Sequence, residues 1–114
     1  MSNNNHHPEV EITVVTMIFD AREADEVAAD RLMSVLSKYV VLSRNHPGCR
    51  NIDLCGSVTS PGRYLIIEKW ESAAAQQDHF NSDDMVEMAH ACEGLLRSRP
   101  DIDLFEGISA HDLQ

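Results

Sequence analysis

Between Val10 and Phe19 the chain is dense in β-branched residues and apolar at almost every even position, a pattern that predicts a central β-strand. Asp20 and Glu23 then form a D-x-x-E capping pattern. Val27, Ala28, Leu32, Val35, Leu36, Tyr39 and Val40 follow at three- and four-residue spacing, which predicts a long helix ending near Arg44. Its other face carries Glu26, Asp30, Ser34, Ser37 and Lys38, so only one side is expected to be buried. Asn45-His46-Pro47-Gly48 reads as the turn that stops it. A second strand from about Cys49 to Val58 and a third from Arg63 to Glu71 flank Thr59-Ser60-Pro61-Gly62, the composition of a tight turn, and are expected to form an antiparallel hairpin. Ser72 is placed to cap a short helix over Ala73 to Phe80, and Asn81-Ser82 breaks it and caps the next. Met85, Met88, Ala89, Cys92, Leu95 and Leu96 form the apolar stripe of that next helix, expected to end near Arg97-Ser98-Arg99 before Pro100. A last strand is expected from Ile102 to Ile108.

The element order is therefore β-α-β-β-α-β with the second helical segment broken in two, the split βαβ or ferredoxin-like arrangement of the α+β class. One antiparallel sheet with its helices on one side leaves the other face uncovered. Apolar side chains from the first and third strands are expected on that face, so a homodimer pairing two sheets is expected to cover it. The domain is taken as residues 9–110, between a disordered polar tail over 1–8 and a short tail over 111–114.

Composition narrows the functional classes. The chain has 114 residues, room for one core only. Nine Lys and Arg against 19 Asp and Glu give a formal charge of -10, which repels phosphate backbones and anionic lipid, so nucleic acid and membrane are not expected as partners. No apolar run approaches the ~20 residues that span a bilayer, and the first eight residues lack the features of a signal peptide, which points to the cytoplasm. Cys49, Cys55 and Cys92 are an odd number without a C-x-x-C pair; neither disulfides nor a zinc site is expected, and at least two are expected to be buried as small hydrophobes. No P-loop, G-x-G-x-x-G, G-x-S-x-G or H-E-x-x-H motif occurs, which leaves nucleotide, flavin and hydrolase chemistry without support.

Tyr64, Ile66, Glu68 and Trp70 share one face of the third strand. A carboxylate among apolar neighbours must be paired, hydrogen-bonded or shifted toward its neutral form, which makes Glu68 the most informative ionisable residue: a candidate catalytic group, or a bond that locks the strand to the broken helix. Trp70, the only tryptophan, is either a stacking wall for an aromatic ligand or plain core. His79 follows on the next helix, close enough to fold back toward Glu68 or Trp70 as a proton shuttle, or else to be held by a structural hydrogen bond. His90 flanks the later apolar stripe and is a candidate to face a cavity between helix and sheet; it lacks a partner at metal-ligand spacing.

The helix leading into His46-Pro47-Gly48-Cys49, the hairpin with Pro61-Gly62-Arg63-Tyr64, the strand end Glu68-Lys69-Trp70-Glu71-Ser72, and His79 with Ser82 beyond it resemble the antibiotic biosynthesis monooxygenase family over about Val10 to Ile108. The resemblance implies a dimeric α+β barrel with a pocket between helices and sheet, and cofactor-independent oxygenation of an aromatic phenol or quinol by O2. In that chemistry the protein deprotonates the substrate, excludes water and stabilises an anion. It would make Glu68 and His79 the catalytic pair and Tyr64, Trp70 and His90 substrate-binding residues, with no metal and no cofactor. The antibiotic-tailoring members carry an asparagine and a tyrosine where this chain has Ile66 and Gln76, so their catalytic assignment does not carry over. His79 stands where the heme-degrading branch has a tryptophan and the first strand lacks that branch's asparagine, which speaks against heme degradation although His90 lies near the position of its heme ligand. The alternative is a non-catalytic small-ligand-binding or structural dimer of the same fold.

Overall fold

The computed structural model describes residues 12–22 and 26–110. The N-terminal tail, the start of the first strand at Val10, the capping residue Glu23 and the tail over 111–114 lie outside them. The elements are β1 (Thr13–Asp20), α1 (Glu26–Ser43), β2 (Cys49–Gly56), β3 (Arg63–Trp70), α2 (Ala73–Phe80), α3 (Asp83–Ala91) and β4 (Asp101–Glu106). The four strands form one antiparallel sheet in the order β2-β3-β1-β4, and this is the ferredoxin-like α+β fold. Among the described residues no helix is long and apolar enough to cross a membrane.

The helices pack on one face of the sheet. Val15, Met17 and Phe19 of β1, Ile52 of β2 and Ile66 and Trp70 of β3 meet Leu32, Leu36, Tyr39 and Val40 of α1 in the core, joined by Met88 of α3 and by Cys92 just beyond it. Register lines up Ile52, Glu68, Val15 and Leu104 across the four strands, so Glu68 sits in the middle of the helix-covered face. In β1 the odd series is the buried one, whereas Val14, Thr16 and Ile18 are half-buried on the opposite face beside Leu65 and Ile67. Both series are apolar enough to serve as core, and only helix packing distinguishes them.

The turns follow local chemistry. Gly48 has φ +83°, and a Cβ there would stand 2.5 Å from that of Ala75, so glycine alone lets α2 approach the turn. Pro61-Gly62, with Gly62 at φ +82°, closes the β2–β3 hairpin. Ser72 and Ser82 accept from the backbone N–H of Ala75 and Met85, capping α2 and α3 as their positions predict.

Several expectations are corrected. The last helix stops at Ala91 rather than near Arg97, because Gly94 turns at φ +79° and the next residues join the sheet side: Leu95 accepts from the Arg22 N–H and Leu96 bridges Ala21. Val27, expected in the buried stripe, is exposed; Ile108 lies beyond β4 and is exposed. Only Cys92 is fully buried, Cys49 is half-buried and Cys55 is exposed, against the expectation that at least two are buried; β2 is an edge strand, which leaves Cys55 near its end uncovered.

Candidate functional site

The C-terminal end of β3 and the last two turns of α1 carry a buried polar network. Glu68 is 1% exposed, and each of its oxygens has a side-chain donor. Tyr39 Oη donates to Oε2 at 2.7 Å and Trp70 Nε1 donates to Oε1 at 2.9 Å. Burial pushes the Glu68 carboxyl above its ordinary range, and the two hydrogen bonds oppose that shift by favouring the charged form. The Tyr39 phenol is held far above its usual value, first by burial and then by the charge of Glu68 beside it, so it stays protonated. Alternation places Glu68 and Trp70 two residues apart on one strand face, and the indole N–H reaches the carboxylate from there.

His79, on the last turn of α2, lies flat against Trp70 with ring centroids 4.5 Å apart and planes 30° apart. Its Nε2 is hydrogen-bonded to Ser43 Oγ at 2.9 Å, and its Nδ1 is 3.8 Å from Glu68 Oε1, too long for a hydrogen bond. Its pKa is lowered to about 4, first by burial and then by the nearby His46, so the ring is neutral near pH 7. The His46 ring meets His79 edge-on at 4.9 Å and pairs through Nε2 with Asp84 at 2.8 Å, tying the α1–β2 turn to the start of α3.

A groove of about 620 Å³ opens between α1 and α3, beside this network. Val35, Leu42 and Met88 supply apolar wall, Lys38, Asp84, Glu87 and His90 supply polar groups, and Tyr39 lies at the contact between groove and network. The volume is in the range of small-molecule sites.

Of the five residues singled out in the sequence, Glu68, Trp70 and His79 are brought together, but behind the groove and not on its surface. Tyr64 stands at the far end of β3 and donates to the Ala29 carbonyl at 3.2 Å, away from the other three. His90 lines the groove with an exposed ring, 3.7 Å from Glu93, and the groove runs between two helices rather than between helix and sheet. Sequence reasoning missed Tyr39, Ser43 and the His46–Asp84 pair. Tyr39 carried a signal, since a phenol on the buried stripe of α1 needs an acceptor, but which acceptor it meets is a tertiary fact. Among the described residues no cluster of three or more His, Cys, Asp or Glu side chains could hold a metal.

Comparison with known proteins agrees with this architecture. No curated protein matches the chain significantly. Among solved structures, the Mycobacterium tuberculosis protein Rv0793 is 21% identical and superposes with a TM-score of 0.79 over 89% of this chain and 99% of its own. A candidate antibiotic biosynthesis monooxygenase of Caulobacter crescentus is 20% identical, with a TM-score of 0.78 over 87% and 92% of the two chains. A Bacteroides thetaiotaomicron protein described as a possible oxidoreductase is 16% identical, with a TM-score of 0.75 over 84% and 97%. At these identities the structures establish a shared fold. The sequence profile of antibiotic biosynthesis monooxygenases matches residues 13–91, from β1 to the end of α3, and by that match the chain belongs to the antibiotic biosynthesis monooxygenase family.

Proposed function

We propose that this protein is a cofactor-independent oxidoreductase of the monooxygenase type that binds an aromatic phenol or quinol in the groove between α1 and α3 and delivers it to O2. The observation that carries the reading is the groove itself, partly apolar, of about 620 Å³, and in contact through Tyr39 with a buried carboxylate. Such a site suits the chemistry: apolar wall to hold the ring and exclude water, and Lys38 to favour the resulting anion. A phenolate gives up electrons to O2 far more readily than the phenol. The reading includes a homodimer in which a second copy covers the open sheet face around Val14, Ile18, Leu65 and Ile67, and a cytoplasmic setting without nucleic-acid or membrane partners.

O2 uptake with hydroquinone and naphthohydroquinone, measured against protein-free controls, tests the activity, and the shift in melting temperature with each compound tests binding. Protein-dependent uptake together with stabilisation is expected. Neither effect with any phenol or quinol would remove the reading. Light scattering is expected to give a dimer at micromolar concentration.

A second reading, a non-catalytic binding or structural dimer, is favoured by the completeness of the network. Glu68 has a donor on each oxygen, and His79 Nε2 is held by Ser43. It predicts stabilisation by aromatic ligands without O2 uptake.

A further inference from the structure

We infer that the groove between α1 and α3 selects a phenol that also carries a protonated amine, with the ammonium seated at Glu87 and the phenolic oxygen at Lys38; the inference rests on the proposed occupancy of that groove by an aromatic phenol. The two walls of the groove carry opposite charge. Lys38 is the cation of the α1 wall, whereas the α3 wall carries the carboxylates of Asp84 and Glu87. Apolar side chains from both helices, Val35 and Leu42 on one and Met88 on the other, lie among these charges and suit an aromatic ring.

The charges differ in what already balances them. Asp84 stands in the first turn of α3, where the helix dipole favours a carboxylate, and it pairs with His46 at 2.8 Å. The His90 ring is 3.7 Å from Glu93, three residues further along the chain. Glu87 lies beyond that first turn, and neither its side chain nor that of Lys38 has an ion-pair or hydrogen-bond partner among the described residues. The groove therefore presents one carboxylate and one ammonium, on facing walls, that are not engaged with each other. A phenol with no other polar group answers only Lys38. A carboxylated phenol brings a further anion to a wall that already carries two, on a chain of formal charge -10. A phenol with an ammonium at the other end of its ring answers both walls at once, through charge-assisted hydrogen bonds, the stronger kind.

The test compares three probes that share one ring and differ in charge: tyramine, 4-ethylphenol and 3-(4-hydroxyphenyl)propionate. Each is titrated calorimetrically at pH 7.5 and low salt into the full-length wild type, Glu87→Gln and Lys38→Met. Both substituted positions are exposed, and folding of each variant is checked by circular dichroism. Tyramine is expected to bind the wild type about tenfold more tightly than 4-ethylphenol, and the propionate to bind most weakly. Salt at about 0.5 M should remove most of that preference. Glu87→Gln should bring tyramine down to the level of 4-ethylphenol and leave 4-ethylphenol within about twofold of its wild-type affinity. Lys38→Met should weaken both compounds and preserve the ratio between them. Equal wild-type affinity for tyramine and 4-ethylphenol, or a preference for tyramine that persists in Glu87→Gln, would overturn the inference while leaving the groove as a phenol site. Unchanged affinities in Lys38→Met would overturn the placement of the phenolic oxygen. Binding of none of the three by the wild type would overturn the proposed function and the charge selection with it.

Discussion

His79 gives the fold a pH dependence whose sign is opposite to that of a histidine in a salt bridge. In the unfolded chain it titrates near 6.5, and in the native structure its pKa is lowered to about 4, chiefly by burial. The native state therefore refuses a proton that the unfolded state accepts between those values, so stability is fully present above 6.5 and is lost as pH falls toward 4. With these two values the loss at pH 5 relative to pH 8 comes to about 2 kcal/mol. The partial ion pair that protonated His79 would make with Glu68, at 3.8 Å, works against the loss and makes that figure an upper end. Glu68 contributes the other sign. Its pKa is raised in the native state, so it stabilises the fold as pH falls through that raised value toward 4.5. A wild-type profile alone would mix the two, and the difference from a His79→Gln variant separates them. Urea unfolding of both proteins from pH 8 to pH 5 should show the variant's deficit shrinking by up to about 2 kcal/mol. A deficit that stays constant over that range would refute the placement of a neutral, desolvated imidazole against Trp70.

Trp70→Phe removes the donor to Glu68 Oε1 and should lower stability by about 1–3 kcal/mol by urea titration, the cost of an unsatisfied buried acceptor, whereas Trp70→Ala should cost about 3–5 kcal/mol. Of the three thiols, exposed Cys55 should react first with a disulfide reagent, and Cys92, buried and with its pKa pushed up to about 11, should react last; equal labelling rates in the folded protein would contradict the packing of α3. Gly48→Ala should destabilise by about 1–3 kcal/mol or more in thermal melts, since its positive φ is compounded by a Cβ contact of 2.5 Å, and Gly94→Ala, at a similar φ but with open space around it, should cost visibly less.

The element order was open to reading from the chain because each element is specified by its near neighbours. The β-branched run of β1, the three-and-four spacing of α1, Pro61-Gly62 in the hairpin and the serines before α2 and α3 each act over a few residues, and the ferredoxin-like order follows from them. Local signals mislead where a tertiary contact decides the outcome. The stripe through Leu95 and Leu96 keeps helical spacing, yet Gly94 turns the chain and those residues join the edge beside Ala21. The face of β1 that becomes core depends on where α1 and α3 settle, since both of its faces are apolar. The site divides the same way. Glu68 and Trp70 were marked by their alternation on one strand, which is a two-residue relation, and His79 by its nearness to that strand end. The partners that decide their chemistry are Tyr39 and Ser43, 29 and 36 positions away from the groups they bond, and a hydrogen bond across that separation exists only once α1 is laid over the sheet. Sequence determined that a carboxylate would be buried and in need of donors; the tertiary structure decided which donors it found, and that one of them borders a groove.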